Sequence, residues 1–253
     1  MSAPFDALVL AGSRPGPDPV AEYAGVAHKA LIEVEGQTLL ARVISALDEA
    51  GAARIGVSTN APQVITLLAT LKTRATLEHL AAQPGPSLSA LIGAQELGTP
   101  LLITTCDHAL LEASWVRYFV DAAPAQADIA VMLSPQAAVE AAAPGVRRTY
   151  LRFADGAFSG CNLFLLQRPQ ALNALRFWSR MEALRKTPWK VAMAIGPVTL
   201  VAYALRLLSL EGMLRRIGAK AGVTAAAVRS PFGLAAVDVD KPSDLDLVRR
   251  LTA

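Results

Sequence analysis

The chain has 253 residues, 53% apolar and 18% charged, with 24 Lys+Arg against 21 Asp+Glu for a formal charge of +3. That length and apolar content suit one large α/β domain with a substantial core, which excludes wholesale disorder. Cys106 and Cys161 are its two cysteines, so a disulfide scaffold is excluded and a reducing, cytoplasmic setting is expected; no cation precedes the first short apolar run, so no export signal is expected either.

Residues 7–10 read as a buried strand, followed by a turn-rich loop over 12–19. Residues 38–50 read as a helix: Leu39, Leu40, Val43, Ile44 and Leu47 recur at helical spacing, Thr38 caps it and Gly51 ends it. Then follow strand 54–58, helix 62–71, a short strand near 75–77, helix 87–97, strand 101–105, helix 112–122 and strand 129–133. This alternation predicts an α/β fold with a mainly parallel sheet and helices on both faces, with ligands at the carboxyl ends of the strands.

After Pro135 the pattern changes. Residues 137–144 are Ala-rich and read as a loop or short helix, and strands 149–153 and 160–166 flank a turn at Asp155-Gly156. From 169 to 218 the chain reads as helical, with breaks near Pro188 and Gly196-Pro197. Residues 223–228 and 234–239 read as strands, and 242–251 as a last helix. With no internal repeat, residues 1–253 are expected to form a single domain, and 168–220 a helical insertion or subdomain within it. The uncharged run 191–205 falls short of the roughly 20 residues that span a bilayer, so a buried helix is expected there and no transmembrane span.

The charge is unevenly placed. Residues 147–229 hold fourteen Lys/Arg against three acids, a local +11, while the rest of the chain is at −8. A basic segment on an acidic body suits an anionic partner. Within it, Arg185-Lys186-Thr187-Pro188-Trp189-Lys190 sets cations beside an aromatic, which suits a phosphate-bearing acceptor, an anionic lipid surface or a solvated helix end. Nucleic acid is not expected, because the basic residues are mixed with long apolar helices and no binding motif appears.

Three stretches can carry chemistry. The first is the loop Leu10-Ala11-Gly12-Ser13-Arg14-Pro15-Gly16, leading to His28-Lys29-Ala30-Leu31. Its glycines let backbone N–H groups approach phosphates, which Arg14 and Lys29 can neutralise, although a solvated loop reads the same way. It is neither a Walker A loop nor a GxGxxG fingerprint. The second is Ile103-Thr104-Thr105-Cys106-Asp107-His108, where an acid ends an apolar strand. Asp107 there suits a Mg²⁺ that bridges nucleotide phosphates, or it caps the next turn. Cys106 and His108 lack the further ligands a zinc site needs. The third is Ala236 to Leu245: alternation along a strand puts Asp238 and Asp240 on one face, where they can complete a metal site with Asp107, while Asp244 and Asp246 complement a helix dipole.

Together these stretches resemble the MobA-like nucleotidyltransferases of the GT-A type, with their three-layer, Rossmann-like sheet; this group includes guanylyl- and cytidylyltransferases. The resemblance rests on the first-strand Leu-Ala-Gly loop, on Lys29 ahead of Gly36-Gln37-Thr38-Leu39-Leu40, on Gly85-Pro86-Ser87-Leu88-Ser89-Ala90-Leu91, on Asp107, and on Asp238 to Leu245. It covers residues 5–134 and 232–252. It implies that Gly12 to Gly16 wrap nucleotide phosphates, that Lys29 stabilises them, and that Gly85, Ser87 and Ser89 lie near base or ribose. It further implies that Asp107 and Asp240 hold Mg²⁺, and that Ser159 and Asn162 sit where acceptor is bound, though Asn162 also suits a local turn. Arg147 and Arg148 are candidates for an acceptor phosphate. The first loop departs from the family: Pro15, Pro17 and Pro19 stiffen it and Arg14 comes early.

The expected reaction transfers NMP from an NTP to a phosphorylated, small or amphiphilic acceptor and releases pyrophosphate. The alternatives are a GT-A glycosyltransferase using a nucleotide sugar, and a non-catalytic nucleotide-binding or membrane-peripheral module.

Overall fold

The computed structural model describes residues 4–13, 16–146 and 148–252. In chain order its elements are β1 (Phe5–Leu10), α1 (Pro19–Ala24), β2 (Glu33–Val34), β3 (Gln37–Thr38), α2 (Leu39–Ala50), β4 (Ala52–Ser58), α3 (Pro62–Leu68) and β5 (Thr76–Leu80). Then come α4 (Pro86–Leu97), β6 (Leu101–Thr105), α5 (Ala113–Ala122), β7 (Ile129–Pro135), α6 (Gln136–Ala142), β8 (Leu151–Phe153) and β9 (Gly156–Leu166). Last are α7 (Leu172–Ala183), α8 (Pro188–Ile195), α9 (Pro197–Ala204), α10 (Leu210–Ala221), β10 (Ala225–Arg229) and α11 (Pro242–Thr252).

Eight strands make one sheet in the order β10-β7-β9-β6-β1-β4-β5, with β8 beside β9. The pairs β1/β4, β1/β6, β4/β5 and β7/β10 are parallel, whereas β9 runs antiparallel between β6 and β7. Side chains alternate across a strand, and β1 shows the result: Ala7 and Val9 join a core with α2, α5 and α11, while Leu8 and Leu10 join a second core with α4 and α7. The sheet is therefore the middle of three layers, a mixed, mostly parallel α/β fold.

Local signals set several boundaries. Thr38 Oγ1 accepts from the Ala41 N–H at 3.2 Å to start α2, and Gly51, at φ 100°, closes it in a left-handed turn. The loop expected over 12–19 gives way to α1, because Asp18 Oδ1 accepts from Val20 N at 2.9 Å and Ala21 N at 3.2 Å.

Two expectations fail. The strand expected over 234–239 is instead a 3-10 turn, Gly233–Ala236, followed by extended chain tied to β6's end by one backbone bond, Val239 N to Asp107 O at 3.0 Å. Gly233 packs against α6, and a Cβ there would overlap the Ala138 carbonyl oxygen. Gly233→Ala is therefore expected to destabilise the fold by about 1–3 kcal/mol through forced backbone displacement, read as a lowered denaturation midpoint in urea. An unchanged midpoint would mean that α6 yields freely.

The run 191–205 is likewise not a buried helix. Gly196-Pro197 splits it into α8, which has no buried residue among those described, and α9, which buries Thr199. Among the described residues no helix is long and apolar enough to cross a membrane.

Candidate active site

β1 and β6 lie side by side in parallel register, Leu10 opposite Thr105, so both end at one edge. Past that edge Ala11 N donates to Ser58 O at 2.9 Å and Cys106 N to Leu10 O at 3.1 Å. The next residue, Asp107, is thus presented at the carboxyl edge of the sheet. Lys29 arrives from the other side. His28 Nδ1 accepts from Ala30 N at 3.0 Å and caps the 3-10 turn Lys29–Leu31, which aims the lysine at the strand ends.

There the Lys29 ammonium makes a short ion pair with Asp107 Oδ2 and lies 3.9 Å from Asp240 Oδ1. Burial disfavours the charged lysine, yet its anionic neighbours, Asp107 foremost and Asp240 among them, together outweigh it and raise the Lys29 pKa above its ordinary value. Burial likewise pushes Asp107 up, and Lys29 more than reverses this, leaving its carboxyl below the usual range. Both groups are therefore charged at neutral pH.

Asp240 goes the opposite way. Partial desolvation and the Asp238 and Asp107 carboxylates push it above its ordinary value, against the pull of Lys29. Its side chain is 67% exposed, so we assign the rise mainly to the like charges.

The expected three-acid metal cluster is not formed. Among the described residues no three His, Cys, Asp or Glu side chains are grouped to hold a metal ion. Asp238 is drawn aside: its Oδ1 takes a short ion pair from Arg148, and its Oδ2 accepts from Asn162 Nδ2 at 2.7 Å. Asp107 and Asp240 remain, and they fit Mg²⁺. Asp107 Oδ1 is buried without a hydrogen-bond partner, and Mg²⁺ is commonly held by one or two carboxylates with substrate phosphates and water.

Asn162 reaches Asp238 through a β-bulge. Leu133 of β7 pairs with Gly160 and Val131 with Phe164, so β9 holds extra residues there, and Asn162 takes φ 50°. A bulge re-aims a side chain, and asparagine tolerates the left-handed region. The expected acceptor contacts are accordingly occupied internally: Arg148 and Asn162 bind Asp238, and Ser159 is buried in β9 opposite Ser134. Arg147 and Arg14 lie outside the described residues.

In the first loop Leu10 and Ala11 are buried at the strand end, while Gly12, Ser13 and Gly16 are exposed. The Gly85 segment is pinned from two sides. Ser89 Oγ accepts from Gln83 N at 2.9 Å, and Glu182 at the end of α7 accepts from Ser87 N at 3.2 Å and makes a short bond to Ser87 Oγ. Sequence reasoning missed Glu182. Its one signal is that it is the lone acid between Asp155 and Glu211. Removing it by Glu182→Ala leaves the buried Ser87 hydroxyl and N–H without their partner, an expected loss of about 1–3 kcal/mol. A thermal melt would read that as about 2–12 °C; an unchanged melt would make the contact incidental.

Cys106 and His108, on either side of Asp107, are inert. Burial pushes the Cys106 thiol up to about 12 and the His108 imidazole down to about 4, so neither is a charged nucleophile or acid at neutral pH.

A profile of the MobA-like NTP transferase domain matches residues 7–152, more than half of the chain. The chain belongs to the MobA-like NTP transferase family. It is similar along its length to a hypothetical transferase from Thermus thermophilus, at 31% identity and TM-score 0.81, covering 97% of this chain and 100% of that one. Two more distant structures share the fold. One is a CMP:2-keto-3-deoxy-manno-octonic acid synthetase complexed with CTP, at 16% identity and TM-score 0.57 over 97% of this chain and 98% of that one. The other is a nucleotidyl transferase from Methanothermobacter thermautotrophicus, at 18% identity and TM-score 0.55 over 98% and 97%. No curated protein matches the chain. Within this MobA-like transferase the matched stretch holds Lys29 and Asp107, and the Val239–Asp107 backbone bond brings Asp240 to them from beyond it.

Proposed function

We propose that this MobA-like chain is a Mg²⁺-dependent nucleotidyltransferase that moves NMP from an NTP to a phosphorylated acceptor and releases pyrophosphate. The observation that carries this reading is the meeting of Lys29, Asp107 and Asp240 at the carboxyl ends of β1 and β6, with one Asp107 oxygen unsatisfied. An acceptor phosphate oxygen bonds to the α-phosphorus while the bond from that phosphorus to the bridging oxygen of the β-phosphate breaks. Such a displacement calls for placed cations rather than a protein nucleophile.

Lys29 supplies one of them. Its raised pKa holds the proton, so it acts as a fixed positive charge on the phosphates and not as a base. Asp107 and Asp240 would hold Mg²⁺, which when bound neutralises phosphate charge. The exposed backbone of Gly12, Ser13 and Gly16 receives the phosphates, and the Gly85–Ser89 segment lies toward base or ribose, with Ser87 and Ser89 shaping it. Asp238, Arg148 and Asn162 are positioning residues beside the carboxylates, and Ser159 supports the strand that carries Asn162.

Pyrophosphate release, measured for each NTP with Mg²⁺ across a panel of sugar, polyol and cofactor phosphates, tests the reaction and identifies base and acceptor together. Transfer from a nucleotide sugar without NTP turnover would instead make the chain a glycosyltransferase. Binding of NTP without turnover of any acceptor would favour a nucleotide-binding module.

A further inference from the structure

The largest exposed apolar side chains of the described residues are concentrated in one short segment. Trp189, Met193, Val198, Val201, Leu205 and Leu207 are each between 59% and 75% exposed, more than any other large apolar residue described. Trp189 and Met193 share a face of α8 by their four-residue spacing, and Val198, Val201 and Leu205 share a stripe that runs off the end of α9. Among the described residues these apolar helices bury nothing but Thr199, which leaves their apolar stripe uncovered in the fold.

The charges around them say what that partner is. No acid occurs between Glu182 and Glu211, and the four cations there, Arg185, Lys186, Lys190 and Arg206, are all exposed. None of the four makes an ion pair among the described residues. Lys190 Nζ lies 5.5 Å from the centre of the Trp189 ring, which places a cation and an amphipathic aromatic together at one level. Tyr203 packs on Phe153, with ring centroids 5.4 Å apart, and Leu208 is buried, so the segment is anchored on the fold at its base.

We propose that α8 and α9 form a docking surface for an anionic lipid bilayer, lying in the interface with their apolar stripe among the acyl chains and the four cations among the headgroups. Apolar insertion and attraction to anionic lipid reinforce each other in such helices. A nucleic-acid partner would use the cations but leave the apolar stripe wet. The helices are too short to span, so the attachment is peripheral and reversible. This surface uses none of the residues assigned to nucleotidyl transfer, so the two readings stand or fall separately.

The test is co-sedimentation of the full chain with phosphatidylcholine vesicles, with and without phosphatidylglycerol, at low and high salt. The expected result is at least tenfold stronger binding to the phosphatidylglycerol vesicles, weakened by salt. Val198→Ser/Val201→Ser/Leu205→Ser is expected to lose that binding while melting like the parent, since these side chains are exposed. Lys186→Gln/Lys190→Gln is expected to lose the preference for anionic lipid. Equal binding to both vesicles, binding to neither, or unchanged binding by the triple serine variant would overturn the proposal. So would a concentration-dependent dimer, seen by light scattering, that the same serines abolish, because a second copy would then be the occupant.

Discussion

Asp107→Asn is expected to lower pyrophosphate release by about a thousandfold, the scale on which loss of one preorganised electrostatic contact to a transition state is felt. Asparagine keeps the shape of the strand end and removes the charge. The Lys29 ammonium then loses its ion-pair partner and keeps a single carboxylate, Asp240, at 3.9 Å. The amide has one oxygen in place of two, so it cannot face Lys29 with one oxygen and offer a second to Mg²⁺ as the carboxylate does. The Mg²⁺ requirement is therefore expected to rise, with saturating Mg²⁺ recovering only part of the rate because the Lys29 contact stays altered, and a loss below tenfold would sink the proposed role.

The same pair sets a pH window for stability. The folded pKa of Asp107 is depressed, so its contribution is present above the unfolded carboxylate pKa and lost as pH falls through the folded one. The folded pKa of Lys29 is raised, so its contribution is present below the unfolded lysine pKa and lost as pH rises through the folded one. The stability difference between parent and Asp107→Asn should accordingly be flat across neutral pH and shrink in acid. A difference that grows on acidification would contradict the charged pair.

What could be read from the residues follows how local each signal is. Thr38 and Gly51 bound α2 by contacts within a turn, and the apolar run ending in Asp107 announces a strand-end acid. Residues 234–239 read as a strand because Val237 and Val239 alternate with Asp238 and Asp240. What decides their conformation is the close approach of Gly233 to α6, a contact from another part of the chain. The apolar run 191–205 reads as core because hydropathy alone cannot say whether a neighbour covers it. The contact of Glu182 and the pairing of Asp238 with Arg148 are hidden for a related reason: the partners Ser87 and Arg148 lie 95 and 90 residues away. The bulge that turns Asn162 toward Asp238 leaves no mark in composition, since one strand's extra residues are defined only against its neighbour.

Those distant contacts carry the second large effect. Arg148 and Asp238 form an ion pair whose side chains are 12% and 11% exposed, and Asn162 adds a hydrogen bond to the same carboxylate. Removing one member of a buried pair leaves an uncompensated charge, at a cost of about 3–5 kcal/mol. Arg148→Met and Asp238→Asn are each expected to lower the melting temperature by about 6–20 °C for a chain of this size. The double variant removes both charges together, so it is expected to fall no further than the worse single. This cycle separates two roles for Asp238 that sequence alone leaves joined. If Asp238 instead held metal, Asp238→Asn would raise the Mg²⁺ requirement with little effect on the melt, and the two substitutions would add. If it positions Arg148 and Asn162, the singles share one thermal penalty and one loss of turnover, while the Mg²⁺ requirement follows Asp107 and Asp240.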